Sequence, residues 1–153
     1  MDGSTRRVVV DMSFERALEE TIRALRLEGL EVVSRFNVRQ FLEGTLHHDF
    51  RQYVLLDAAP AQSMLDALRE DLSAGPIVPT RIAVFELADG ETAVVVAEPF
   101  GGMCSDPQSR RASPQLAALA DRTCSQLARA LDRLQRTSSS QPVDFAATAV
   151  TQS

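Results

Sequence analysis

The feature that most constrains the fold is a pair of β-rich runs separated by a turn dipeptide. Ile82 to Leu87 and Thr92 to Ala97 are dense in β-branched and apolar residues, and Asp89-Gly90 lies between them. Such a pair suits a two-residue hairpin of type I′, in which both central residues take positive φ. The two runs are therefore expected to be antiparallel neighbours, so the chain must contain a sheet with at least one antiparallel pair.

Helical and extended patterns alternate around this hairpin. Val8-Val9-Val10 reads as a first strand, and Ser13 is placed to cap a helix whose apolar face is Phe14, Leu18, Ile22 and Leu25. Gly29 marks the end of that helix. Leu30 to Phe36 reads as a strand with Leu30, Val32 and Phe36 on one face and Glu31, Val33 and Arg35 on the other. Asn37 can cap a short helix with Val38, Phe41 and Leu42 inward, which Gly44 ends or loosens. Phe50 to Leu56 reads as the third strand, with Tyr53 and Leu55 on one face and Val54 and Leu56 on the other. Pro60 stands as the first residue of a helix with an Ala61, Met64, Leu65, Leu68 and Leu72 stripe, stopped by Ala74-Gly75-Pro76. After the hairpin, Pro99 to Ser113 reads as a loop. Ser113-Pro114 then opens a long helix with Leu116, Leu119, Thr123, Leu127, Leu131 and Leu134 on one face.

The order β-α-β-α-β-α-β-β-α implies a two-layer α+β domain with helices packed on a largely antiparallel sheet of about five strands. One domain is expected over residues 1–136. The Ser-, Thr- and Gln-rich stretch 137–153 is expected to be a disordered tail.

Composition removes several function classes. The net charge is −5, and the basic residues are scattered arginines with no lysine, which disfavours a phosphate-backbone partner and excludes a Schiff-base lysine. Tryptophan is absent and there is one tyrosine, so no stacking platform for single-stranded nucleic acid is expected. The longest apolar run, Ala93 to Ala97, is too short to span a bilayer, and no export signal precedes the first charged segment. A soluble, cytoplasmic chain is the expectation, with no nucleic-acid or membrane partner. There is no Gly-rich phosphate loop, GxSxG or HExxH, so neither a cofactor nor a catalytic constellation is expected.

In its element order and several residues the chain resembles the DUF302 family of small bacterial and archaeal domains. The resemblance runs from about Arg7 to about Gln135. It rests on Phe14-Glu15 with Ala17, Glu28-Gly29-Leu30, Asp49-Phe50-Arg51 with Tyr53, Pro60, Pro79, and Glu98-Pro99 with Met103. It implies an α+β fold that tends to pair as a dimer, and no particular activity. Many relatives carry Cys-Asn-Pro after the third strand and Pro-Cys-Asn before the fourth. Here those positions read Ala58-Ala59-Pro60 and Pro79-Thr80-Arg81, so thiol chemistry at that place is lost. The Asn in the first motif looks like a helix N-cap. Ala59 cannot cap, which leaves Asp57 as the substitute.

Few residues qualify as a site. Arg35, Asp49, Arg51, Tyr53 and Arg81 lie on or beside strands; sharing one rim, they would bind a small anionic ligand bidentately. Solvated strand positions are the bland alternative. His47-His48-Asp49 is the one imidazole–carboxylate cluster, but adjacent residues point apart and no further ligand stands at a metal spacing, so no metal site is expected. Cys104 and Cys124 sit in different elements and are expected to remain unpaired thiols, with Cys124 buried on the helix face. The alanine-rich last helix offers a self-association surface. The sequence thus points first to a non-enzymatic domain binding a small ligand or protein as a homodimer. The alternatives are an enzyme, or the remnant of one, using the Arg/Asp/Tyr rim, and a structural or regulatory interaction protein.

Overall fold

The computed structural model describes residues 5–139. The strands are β1 (Thr5–Val10), β2 (Leu30–Asn37), β3 (Tyr53–Pro60), β4 (Thr80–Ala88) and β5 (Glu91–Ala97). The helices are α1 (Phe14–Leu27), α2 (Val38–Leu46), α3 (Ala61–Glu70), α4 (Pro107–Ala112) and α5 (Pro114–Ser139). The five strands form one sheet in the order β1-β5-β4-β3-β2, and every neighbouring pair is antiparallel. The architecture is the expected α+β one. The helix α5 continues to Ser139, past the expected domain end; the remainder of the expected tail lies outside the described residues.

The hairpin forms with a different turn. Ala88 pairs with Glu91 around Asp89-Gly90, but only Gly90 has positive φ, at 77°, so the turn is not type I′. A bulge between Glu86 and Ala88 accompanies it; bulges add local twist, which the primed turn would otherwise supply.

One face of the sheet carries the core. Leu30, Val54, Leu56, Ile82, Val84 and Val94 meet Phe14, Ala17 and Leu25 of α1 and Leu127, Leu131 and Leu134 of α5. A second cluster joins Ala67 of α3, Val78, Phe100, Met103 and the first half of α5. The apolar band of α5 is thereby covered within its own chain.

Several local expectations change. Ser13 and Asn37 cap α1 and α2 as expected, each accepting from a backbone N–H three residues on. The helix α2 passes through Gly44 and ends at His47, whose left-handed conformation (φ 55°) closes it. Pro60 is the last strand residue rather than the first helical one, and α3 starts without a side-chain cap because Asp57 lies inside β3. On α3 the buried residues are Ser63 and Ala67, while Leu65 is 45% exposed; Leu72 falls beyond the helix and is 84% exposed. The small residues face inward because α3 packs against α5. The Pro99 to Ser113 loop contains a short helix, α4, capped by Asp106.

The largest change lies in β2. A bulge between Val32 and Ser34 inserts a residue, so Leu30 and Val32 stay on the core face while Phe36 pairs with Leu55 on the opposite face. One extra residue reverses every later side chain, because strand periodicity is two. Arg35 lands opposite Leu56, on the helix-covered side at the sheet edge.

Candidate functional site

The five rim residues lie at separate places. Arg81 and Asp57 are cross-strand partners, and the guanidinium of Arg81 donates from Nε to Asp57 Oδ1 (3.1 Å) and from Nη2 to Oδ2 (3.2 Å). Ser34 Oγ donates to the same carboxylate at 2.8 Å. The Arg81 hydrogen bond holds the Asp57 carboxyl below its ordinary range, with Ser34 adding to it, and Asp57 in turn raises Arg81. Tyr53 sits toward the other end of the same face, stacked on Phe85 with ring centroids 4.9 Å apart. Arg51 donates to the Glu86 carbonyl at 3.0 Å. Asp49 is exposed and 3.7 Å from Arg39. With Arg35 on the opposite face, the set does not converge on one pocket. His47 serves as the cap of α2, and His48 lies beside Phe50 with ring centroids 6.4 Å apart.

The two positions where the family resemblance implies cysteine are brought together. Ala58 and Thr80 are directly paired across β3 and β4, both buried, and the Thr80 hydroxyl has no partner. A buried, unpaired hydroxyl is unfavourable, whereas a methyl of the same shape is not. Thr80→Val is therefore expected to leave stability unchanged or raise it by up to about 1 kcal/mol in urea unfolding.

The structure overturns the expectation for this chain's own cysteines. Cys104 and Cys124 form a disulfide, their Cα atoms 7.2 Å apart. Separation in sequence hid this. The chain leaves β5 through Glu98-Pro99, and Phe100, Gly101 and Gly102 all take positive φ, at 55°, 62° and 88°. Glycine adopts that region freely, so Gly101-Gly102 allows the sharp turn that brings Cys104 against the middle of α5. Cys124 lies one residue after the buried Thr123, half-buried rather than inside the core.

A cavity of about 210 Å³ opens beside the disulfide, lined by Arg6, Val96, Ala97, Glu98, Pro99, Ser105 and Leu127 as well as both cysteines. Glu98 Oε1 accepts from Ser105 Oγ at 2.9 Å; its Oε2 is shut off from solvent with no partner. Sequence reasoning did not place Glu98 at a site; its only signal was membership of the Glu98-Pro99 motif.

Glu28, in another shared motif, has a structural role. It ends α1, and its carboxylate accepts from Arg129 Nε (2.7 Å) and Arg133 Nε (2.6 Å) of α5. Those arginines, Arg129 foremost, hold its carboxyl below the usual range. Gln126 Nε2 donates to the Glu28 carbonyl at 2.8 Å, and a Cβ on Gly29 (φ 87°) would meet that same nitrogen at 3.1 Å.

Among the described residues, no group of three His, Cys, Asp or Glu side chains is placed to hold a metal ion, and no helix is long and apolar enough to cross a membrane. No curated protein matches the chain. The crystal structure of an uncharacterized conserved DUF302 protein from Bacillus stearothermophilus is similar, with 26% identity and a TM-score of 0.70, over 87% of this chain and 99% of that one. The family model described as a domain of unknown function, DUF302, matches residues 6–134, which spans β1 through nearly all of α5, and the chain belongs to the DUF302 family.

Proposed function

We propose that this domain binds rather than catalyses, and that it works as a homodimer joined through the sheet face opposite α1 and α5. The observation that carries this reading is the composition of that face. Val9, Phe36, Leu55, Phe85 and Val95 lie on it; Val9 is 41% and Phe36 46% exposed. Its Asp57–Arg81 pair is mutually neutralised. Exposed apolar side chains gathered on one face mark an interaction site, and Arg7, on the same face, lies over the Phe85 ring at 5.8 Å. A second copy fits it because a two-fold contact sets the same patch against itself, apolar on apolar. The apolar band of α5 is already covered, which favours the sheet face over the helix as the contact. The cavity beside the disulfide stays free for a small ligand.

Light scattering coupled to size exclusion tests this. The wild type is expected to run at twice the mass of the chain at micromolar concentration. Val9→Asp with Phe36→Asp is expected to give a folded monomer, judged by circular dichroism. A monomeric wild type overturns the reading.

A further inference from the structure

We propose that the Cys104–Cys124 disulfide is an exchange site for a small thiol carrying a cationic head, with the adjacent cavity receiving the body of that thiol.

Three observations converge on this. Both cysteines line the cavity and both are half-buried, which gives a small nucleophile a path toward the bond. The cavity measures about 210 Å³; one water needs only about 15 Å³, so a group of several non-hydrogen atoms fits. The walls are apolar at Val96, Pro99 and Leu127, but Glu98 supplies a carboxylate whose Oε2 has no partner. A buried acceptor without a donor is costly, and an ammonium satisfies it with a charge-assisted bond. Reaching that oxygen from the cavity requires a turn of the Glu98 carboxylate about its broad terminal torsion. The other charge at the site, Arg6, is exposed to water, whose high dielectric weakens its effect on a bound cation relative to the part-enclosed carboxylate.

The geometry also selects the sulfur. Cys104 Sγ lies 3.3 Å from the Ala120 carbonyl oxygen, which disfavours a thiolate there and accepts from an S–H once the bond is reduced. The incoming thiolate therefore attacks Cys104 Sγ. A new S–S bond forms, the Cys104–Cys124 bond breaks, and its electron pair leaves on Cys124 Sγ, which takes a proton from water. A second thiolate attacks the ligand sulfur of the mixed disulfide, releases the ligand's own disulfide, and leaves Cys104 protonated against Ala120. Two thiols are oxidised and one protein disulfide is reduced. The reverse reaction closes the bond.

The reverse direction gives a clean test. Reduced protein is mixed with cystamine, with bis(2-hydroxyethyl) disulfide or with 3,3′-dithiodipropionate, and thiol loss is followed. Glu98→Gln is expected to slow the cystamine reaction about tenfold and to leave the neutral reagent unchanged. Oxidised wild type mixed with cysteamine, acid-quenched and peptide-mapped, is expected to carry the mixed disulfide on Cys104. Equal effects of Glu98→Gln on the cationic and neutral reagents, or an adduct on Cys124, overturn the proposal. None of these readouts depends on the oligomeric state.

Discussion

Removing the Cys104–Cys124 bond is expected to lower the stability of the fold by about 3 kcal/mol. The two residues are 20 apart in sequence, and opening a loop of that length returns roughly this much chain entropy to the unfolded state. The loss falls on a defined region. Phe100 and Met103, in the loop between β5 and Cys104, are buried in the second core cluster with Leu116 and Leu119 of α5. The bond fastens that loop to the helix which supplies the other half of the cluster. For a domain of this size the loss corresponds to a fall in Tm of about 6–12 °C. Thermal melts of oxidised and reduced protein, with Cys104→Ser and Cys124→Ser as controls, measure it. Identical melting temperatures would show that the bond contributes nothing to the fold.

Glu28→Gln is expected to cost about 2 kcal/mol and about 4–8 °C in Tm. Its carboxylate accepts two charge-assisted bonds, from Arg129 and Arg133, and is largely enclosed. It joins the end of α1 to α5 across about 100 residues of chain, so its loss loosens the two helices that cover the core face. The change to an amide keeps the shape and removes the charge. The pH dependence follows from the same contacts. The folded carboxyl lies below its ordinary value, so the unfolded state binds the proton more readily. The stabilisation is complete above the unfolded value of about 4.3 and is lost as pH falls through the lower folded value. Asp57, held down by Arg81, adds in the same direction. Urea unfolding of wild type and Glu28→Gln between pH 7 and pH 3 is expected to show the two curves converging at the acid end. A constant gap across that range would remove Glu28 as the cause.

The shared motif Glu28-Gly29-Leu30 thus has a physical basis. Glu28 pairs across to α5, Gly29 takes a left-handed turn that a side chain would crowd against Gln126, and Leu30 enters the core. The motif Glu98-Pro99 with Met103 brackets the cavity and the loop that carries Cys104. Neither reading was legible in the sequence, because each depends on a partner in α5.

What the sequence determined by itself was the set of elements and most of their inward faces. Local signals suffice for that: caps at Ser13 and Asn37, the hairpin at Asp89-Gly90, the 3.6-residue stripe of α5, and the alternation of Val54 and Leu56 against Tyr53 and Leu55 in β3. Tertiary structure alone decided where chemistry gathers. One bulged residue in β2 moved Phe36 to the face opposite α1 and α5 and Arg35 away from Arg81. Strand pairing set Asp57 against Arg81 and turned a presumed ligand arginine into half of an ion pair. Three left-handed residues swung Cys104 onto Cys124. Spacing along the chain reports which side of an element a residue takes. It does not report which distant element that side will meet, because that follows from register and loop path.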